Sequence, residues 1–191
     1  MRRLIAGCVA CCAMWIPMAD AGDASMSGRF AGTVITHLQF DESGNPSQFL
    51  LCEAEMKGAL GATRLSVLSQ FVPDFSLTEC QPDEIPTVMT YARSVTTFQD
   101  MSVLYGSFDR GWICIKPGPA GVASYYGKVS AAIIGGTGRF VGATGHMDWD
   151  FGGNDLAGPF VVNCPTCPPE VPFPTYGSFV GTITGKVALP K

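Results

Sequence analysis

Beyond position 21 the chain has no run of basic residues, no amphipathic stretch of helical length and no apolar run long enough to cross a membrane. Each absence excludes a class of function. Nucleic acid and anionic membrane surfaces both require clustered Lys and Arg, so neither is an expected partner. Without helical periodicity the domain is not a bundle or a doubly wound fold. A membrane-spanning helix needs about 20 consecutive apolar residues, so no integral membrane segment is expected in the mature chain. Charge is sparse: 12 Lys/Arg and 16 Asp/Glu give a formal net charge of −4.

What is present begins with an export signal. Arg2 and Arg3 precede an uninterrupted apolar run, Leu4 to Ile16, and Ala19-Asp20-Ala21 supplies small residues where signal peptidase needs them. The pattern predicts a signal peptide over 1–21 with cleavage before Gly22. Against a transmembrane anchor, the run stops short at Pro17 and Asp20. Leu4-Ile5-Ala6-Gly7-Cys8 has the form of a lipoprotein cleavage box, but leaves about four apolar residues ahead of the cut against a usual ~7–15. The Arg pair lacks the rest of the twin-arginine pattern. The expected destination is periplasmic or extracellular. The mature chain, 22–191, then holds 10 Lys/Arg and 15 Asp/Glu, a charge near −5, and has the length of one domain.

Cleavage also removes Cys8, Cys11 and Cys12. Cys52, Cys80, Cys114, Cys164 and Cys167 enter an oxidising compartment, where disulfides are the default. Five is odd, so at most two bridges form and one thiol remains. Cys80, Cys114, Cys164 and Cys167 are the bridge candidates, with at least one of the last two engaged. Cys52, inside a strand, is the expected leftover. Cys164 and Cys167 have redox-motif spacing, but Pro168 and Pro169 oppose the helix N-terminus that would activate such a thiol. A matching second Cys/His pair for zinc is lacking. Whether the two join each other or reach Cys80 or Cys114 does not follow from spacing.

The 23 glycines and 14 prolines suit short strands joined by turns. In Gly28–Phe40, Phe30, Val34, Leu38 and Phe40 fall on one face and Arg29, Thr33, His37 and Gln39 on the other, with Ile35 the exception. That is the period of a half-buried strand. Further strands are predicted over 47–57, 63–72, 87–98, 101–108, 111–116, 123–134, 139–151, 159–163 and 178–189. The proline-rich stretch 164–176 is predicted to be an exposed loop, because prolines cannot donate to a ladder. Gly28-Arg-Phe-Ala-Gly-Thr, Gly138-Arg-Phe-Val-Gly-Ala and Gly177-Ser-Phe-Val-Gly-Thr echo one another, with Gly58-Ala-Leu-Gly-Ala-Thr a shortened relative. Glycines within strands mark bends or close backbone approach, which a sheet needs in order to close. The expected fold is therefore all-β: a single closed antiparallel barrel of about eight strands.

Ile133-Ile-Gly-Gly-Thr-Gly-Arg-Phe-Val-Gly-Ala-Thr-Gly145 resembles the G-G-T-G-x-F-x-x-A-x-G signature of the allene oxide cyclase and dirigent barrels, and is closer still to their bacterial exported relatives. The opening strand 28–36 and Asp100-Met-Ser-Val-Leu-Tyr-Gly106 add diffuse support. Gly135, Gly136, Gly138, Gly142 and Gly145 would form its structural turn. The resemblance implies an eight-stranded barrel with an apolar lumen, trimeric in the plant members. The cyclases close a ring on a fatty-acid epoxide; the dirigent proteins steer the coupling of phenolic radicals. No position here matches either group's catalytic residues.

Three clusters could carry chemistry. His146, Asp148 and Asp150 alternate with Met147, Trp149 and Phe151. Same-face neighbours on a strand lie about 7 Å apart, within chelating reach for an adjacent pair, but the clean alternation favours a solvated face and no metal is expected. Glu53 and Glu55 share a face with Phe49 and Leu51, so one of these carboxylates is a candidate for the interior, as acid–base work would need, but a solvated pair near the barrel rim is the favoured reading. Tyr91 and Arg93 form another same-face pair. Catalytic residues remain unassigned, and no cofactor is expected. The favoured function is a non-catalytic binding or interaction module with a small apolar ligand. The alternative is a cyclase- or isomerase-type enzyme, which requires an ionisable group inside the lumen.

Overall fold

The computed structural model describes residues 22–119, 122–157 and 174–190. Eight strands follow in order: β1 (Asp23–Phe40), β2 (Pro46–Gly58), β3 (Gly61–Pro73), β4 (Ile85–Phe98), β5 (Val103–Pro117), β6 (Ala123–Gly136), β7 (Thr144–Ala157) and β8 (Pro174–Ala188). Each pairs antiparallel with the next, and β8 returns to β1, closing the barrel. No α-helix occurs among the described residues. Closure removes the unpaired edges that an open sheet of this length would present.

Several expectations shift in detail. The two segments 101–108 and 111–116 form one strand, β5, whose register with β6 slips between Phe108 and Arg110. That bulge reverses which face each residue takes, so the break in alternation around Asp109 looked like a break between strands. The segment 139–151 begins later, at Thr144, because Gly138–Phe140 forms a 3-10 turn. Pro174–Tyr176 opens β8 instead of ending a loop, with Pro174 at the strand's first residue, where a missing N–H is tolerated. The signal peptide, the segment 159–163 and the pair Cys164 and Cys167 lie outside the described residues.

Up-and-down connectivity gives the barrel two unlike ends. One carries the connections 41–45, 74–84 and 118–122. The other carries the tight turns 59–60 and 99–102, the connection 137–143 and both ends of the barrel chain. The second end is plugged by Met26, Met56, Phe98, Leu104, Phe140, Met147, Ile183 and Val187, all buried.

The echoed motifs place their aromatics inward. Phe30, Phe140 and Phe179 are all buried, and Phe30 lies 5.8 Å from Phe179. The glycine two residues after each strand phenylalanine meets a neighbouring backbone: a Cβ at Gly32 would stand 2.1 Å from the Glu53 carbonyl, and one at Gly181 2.4 Å from that of Asp150. Only glycine permits that approach.

Candidate functional site

Period-two alternation assigns one face of every strand to the lumen. On β2 these are Leu50, Cys52, Ala54 and Met56; on β7, Met147, Trp149 and Phe151. The lumen is not filled evenly. In the plugged half, methionines and phenylalanines interdigitate. In the other half they leave a cavity of about 60 Å3, measured as the space open to the centre of a water-sized sphere. One water needs about 10–15 Å3 on that measure. The cavity is bounded by Phe30, Leu65, Phe71, Phe108, Trp149 and Phe179, with smaller side chains such as Ala92 and Ser69 between them.

Among the described residues, no carboxylate, lysine, arginine or histidine lines this cavity. Glu53 and Glu55 are on the outer wall, because Cys52, Ala54 and Met56 hold the inward positions. The alternative in which one of these acids faces inward is thereby overturned, and the favoured reading of a solvated pair stands. Phe49 and Leu51 share their face but lie outside as well, Leu51 being 45% exposed. Glu53 accepts from Ser66 Oγ at 2.7 Å and pairs with Arg64 at 3.2 Å. The group that a cyclase or isomerase would need inside the lumen is not supplied by either residue.

The other clusters are also external. Arg93 donates to Ser107 Oγ at 2.7 Å, and its guanidinium lies 5.2 Å from the centre of the Tyr91 ring. His146, Asp148 and Asp150 form an outer face opposite buried Met147 and Trp149. Asp148 accepts from Ser130 Oγ at 2.5 Å and contacts His146 at 3.2 Å, while Asp150 pairs with Lys128 at 3.2 Å. The Ser130 hydroxyl first of all holds the Asp148 carboxyl below its ordinary range; burial opposes it, and the His146 contact adds a smaller lowering. The side-chain partners of these acids lie on β6 and β7. Elsewhere among the described residues, Cys80, Glu84 and Cys114 cluster closely enough to hold a metal. Their two sulfurs are already bonded to each other, and the thiolate is the form that ligates.

That bond, Cys80–Cys114, decides part of the cysteine question. It excludes a bridge from Cys164 or Cys167 to either partner. Cys114 points outward on β5 yet is fully buried, because connection 74–84 folds down over the wall and delivers Cys80 to it. Asp83 pairs with Lys116 at 3.1 Å, and the Tyr126 hydroxyl donates to Glu84 at 2.8 Å. The negative charge accepting that bond raises the Tyr126 pKa. Trp112 stands edge-on to Tyr126, ring centres 5.8 Å apart, completing the seat of the connection. Nothing in the spacing of Cys80 and Cys114 distinguishes this pairing, since it depends on how the connection folds back.

The outer wall also carries an apolar row. Ile35 pairs in register with Leu51, and Leu51 with Leu68; all three point outward and are 44–47% exposed. Ile35, the exception to the alternation of β1, belongs to this row.

The five signature glycines sit at the plugged end. Gly135, Gly138, Gly142 and Gly145 have positive φ, and a Cβ at Gly136 would meet the Val103 carbonyl at 2.2 Å. Their conformations turn the chain so that Phe140 drops into the barrel end, 4.6 Å from Phe98. Searched against known proteins, the chain matches no protein-family model and no curated protein.

Proposed function

We propose that this chain is an exported barrel that holds a small apolar guest in its lumen and performs no reaction on it. The observation that carries the reading is the half-open lumen, lined mostly by hydrocarbon side chains and, among the described residues, by no carboxylate, lysine, arginine or histidine. A cavity so lined stays dry, because water entering it would find too few hydrogen-bond partners. It gains by admitting a hydrocarbon surface instead. An eight-stranded barrel has an interior of about the size that one small ligand fills.

Export is supported by the signal pattern of residues 1–21 and by the Cys80–Cys114 disulfide, a bond that persists in oxidising compartments. We also read the chain as a bacterial exported member of the allene oxide cyclase and dirigent-like superfamily. The closed eight-stranded architecture and the position of the 133–145 segment at the barrel plug support that reading. The trimeric assembly that the resemblance implies would be served by the Ile35–Leu51–Leu68 row, and sedimentation velocity on the mature protein tests it. A monomer at all concentrations would remove it.

Native mass spectrometry of protein purified from its own host, combined with displacement of a fluorescent fatty-acid probe, tests the main proposal. A retained small molecule, or displacement by apolar compounds, is the expected result. Protein that carries no guest and displaces no probe would overturn it.

A further inference from the structure

The outer wall of β5 to β8 is not a plain convex surface. It holds an open trough of about 390 Å3, on the measure used for the lumen cavity. Strand register builds the trough from two rows. Arg110, Ser130, Asp148 and Thr184 stand side by side across the four strands, and Trp112, Lys128, Asp150 and Thr182 form the next row away from the plug. Neighbouring strands are about 4.8 Å apart and same-face residues about 7 Å, so each row runs roughly 14 Å. Short side chains, Ser130, Thr182 and Thr184, alternate with the long ones of Arg110, Trp112 and Lys128, which gives the wall its relief. The β5 bulge contributes, because it leaves Arg110 exposed immediately after exposed Asp109.

The trough is balanced in charge and mixed in hydrogen-bonding character. Arg110 and Lys128 offset Asp148 and Asp150, so its field favours neither an anion nor a cation. Lys128 pairs with Asp150 at 3.2 Å, while Asp148 accepts from Ser130 and contacts His146. An ionised carboxylate accepts at about four lone-pair sites and an ammonium carries three donors. Asp148 and Asp150 are 58% and 62% exposed, and Lys128 is 62% exposed, so all three keep hydrogen-bonding capacity towards solvent. Exposed Thr182 and Thr184 add hydroxyls that both donate and accept. Trp112, edge-on to Tyr126, borders the trough with an aromatic surface.

We infer that this trough binds a neutral oligosaccharide. A pyranose ring presents C–H bonds on its faces and hydroxyls around its edge. The faces suit the apolar body of the Trp112 indole. Each hydroxyl can donate to a carboxylate and accept from a guanidinium or ammonium, and hydrogen bonds with one ionised partner are the strong ones. The two rows are long enough for a short chain of such rings. A sulfated or phosphorylated chain would bring its negative charge against Asp148 and Asp150, so the neutral sugar is the chemistry that fits. The site lies on the outer wall and does not depend on what the lumen holds.

Titration of the 15N-labelled mature protein with maltotriose, cellotriose and N-acetylchitotriose tests the inference, with a sulfated trisaccharide as the anionic comparison. At least one neutral sugar is expected to shift the Trp112 indole resonance and the amides of Lys128, Asp150 and Thr182 to saturation, and the sulfated one to leave them in place. Asp150→Ala is expected to weaken that binding about tenfold, the loss of a hydrogen bond to a charged group. Trp112→Ala should weaken it as well, but Trp112 also seats the connection 74–84, so the aspartate variant decides. Glu53→Gln, on β2 across the barrel from β6, should leave the affinity unchanged. If no neutral sugar gives a saturable shift at millimolar concentration, the inference is overturned. Shifts confined to residues outside the trough, an equal response to the sulfated sugar, or full affinity in Asp150→Ala would overturn it too.

Discussion

The guanidinium of Arg139 lies 4.8 Å from the centre of the Phe98 ring, and 4.9 Å from that of Phe140. The same side chain pairs with Asp100 at 3.4 Å and donates to the Leu60 carbonyl at 3.4 Å. One arginine thus ties together all three connections at the plugged end: 59–60, 99–102 and 137–143. Cation–π contacts at partly exposed sites are worth about 0.5–1 kcal/mol each, and the exposed ion pair adds little. Arg139→Ala is expected to cost about 1–2 kcal/mol in chemical denaturation, and Arg139→Lys less than half of that. A double-mutant cycle with Phe98→Leu should show non-additive coupling. Additive losses would mean that the stacking contributes nothing.

This clamp shows what the sequence discloses and what it hides. Alternation along Gly28–Phe40 and His146–Phe151 identifies the inward faces, because a strand has only two sides and burial selects one. The glycine-rich segment 133–145 announces a sharp turn for the same local reason. The closed barrel follows from those patterns. By contrast, the clamp joins Leu60, Asp100 and Arg139 across long sequence separations, as the disulfide joins Cys80 to Cys114. Such contacts depend on register and on how a connection folds, neither of which is periodic. The cavity was hidden for a related reason. Its existence depends on summed side-chain volume at one level of the barrel, where Ala92, Cys52 and Ser69 stand in place of the methionines found nearer the plug.

The disulfide closes a loop with a sequence separation of 34. On the chain-entropy account such a loop stabilises by roughly 3–4 kcal/mol. Replacing both Cys80 and Cys114 by serine is expected to lower stability by about that amount and to speed amide exchange throughout 74–84, while β1, β2 and β8 stay protected. Non-reducing peptide mapping should recover Cys80 joined to Cys114. A map with either cysteine joined to Cys164 or Cys167 would refute the pairing.

Acid should weaken the protein in a defined window. Ser102 donates from both its hydroxyl and its backbone N–H to Asp100, and these bonds, the hydroxyl's first, hold that carboxyl below its ordinary value. Asp148 is lowered by Ser130 in the same sense. For a group whose folded pKa is depressed, the unfolded chain takes up protons first as pH falls. The stabilisation is therefore complete above the unfolded value, about pH 4, and disappears as pH drops through the folded one. Both side chains are at least half exposed, so the effect is small. Asp100→Asn should lower the melting temperature slightly at pH 7, where the stabilisation is complete, and flatten its decline below pH 4. An unchanged acid slope would show that Asp100 is not one of the groups responsible.

Two of the signature glycines separate backbone strain from steric collision. Gly135 has φ +131° and nothing within 4 Å of the position a Cβ would take. Gly145 has φ +143°, and there a Cβ would stand 2.0 Å from the Lys186 carbonyl oxygen and 3.0 Å from its carbon. Both lie where non-glycine residues are strained, at a cost of order 1–3 kcal/mol. Gly135→Ala should pay that strain alone and still yield a folded barrel with a lower melting temperature. Gly145→Ala must also push β7 from β8 beside the pair Gly145 and Val187, whose side chain is fully buried in the plug. A backbone oxygen cannot swing aside as a side chain would, so the collision adds to the strain. The expected ordering is wild type, then Gly135→Ala, then Gly145→Ala, with the last poorly folded or recovered only at low temperature. Equal losses at the two positions would show that the β7–β8 contact at Gly145 yields easily and that φ alone requires glycine there.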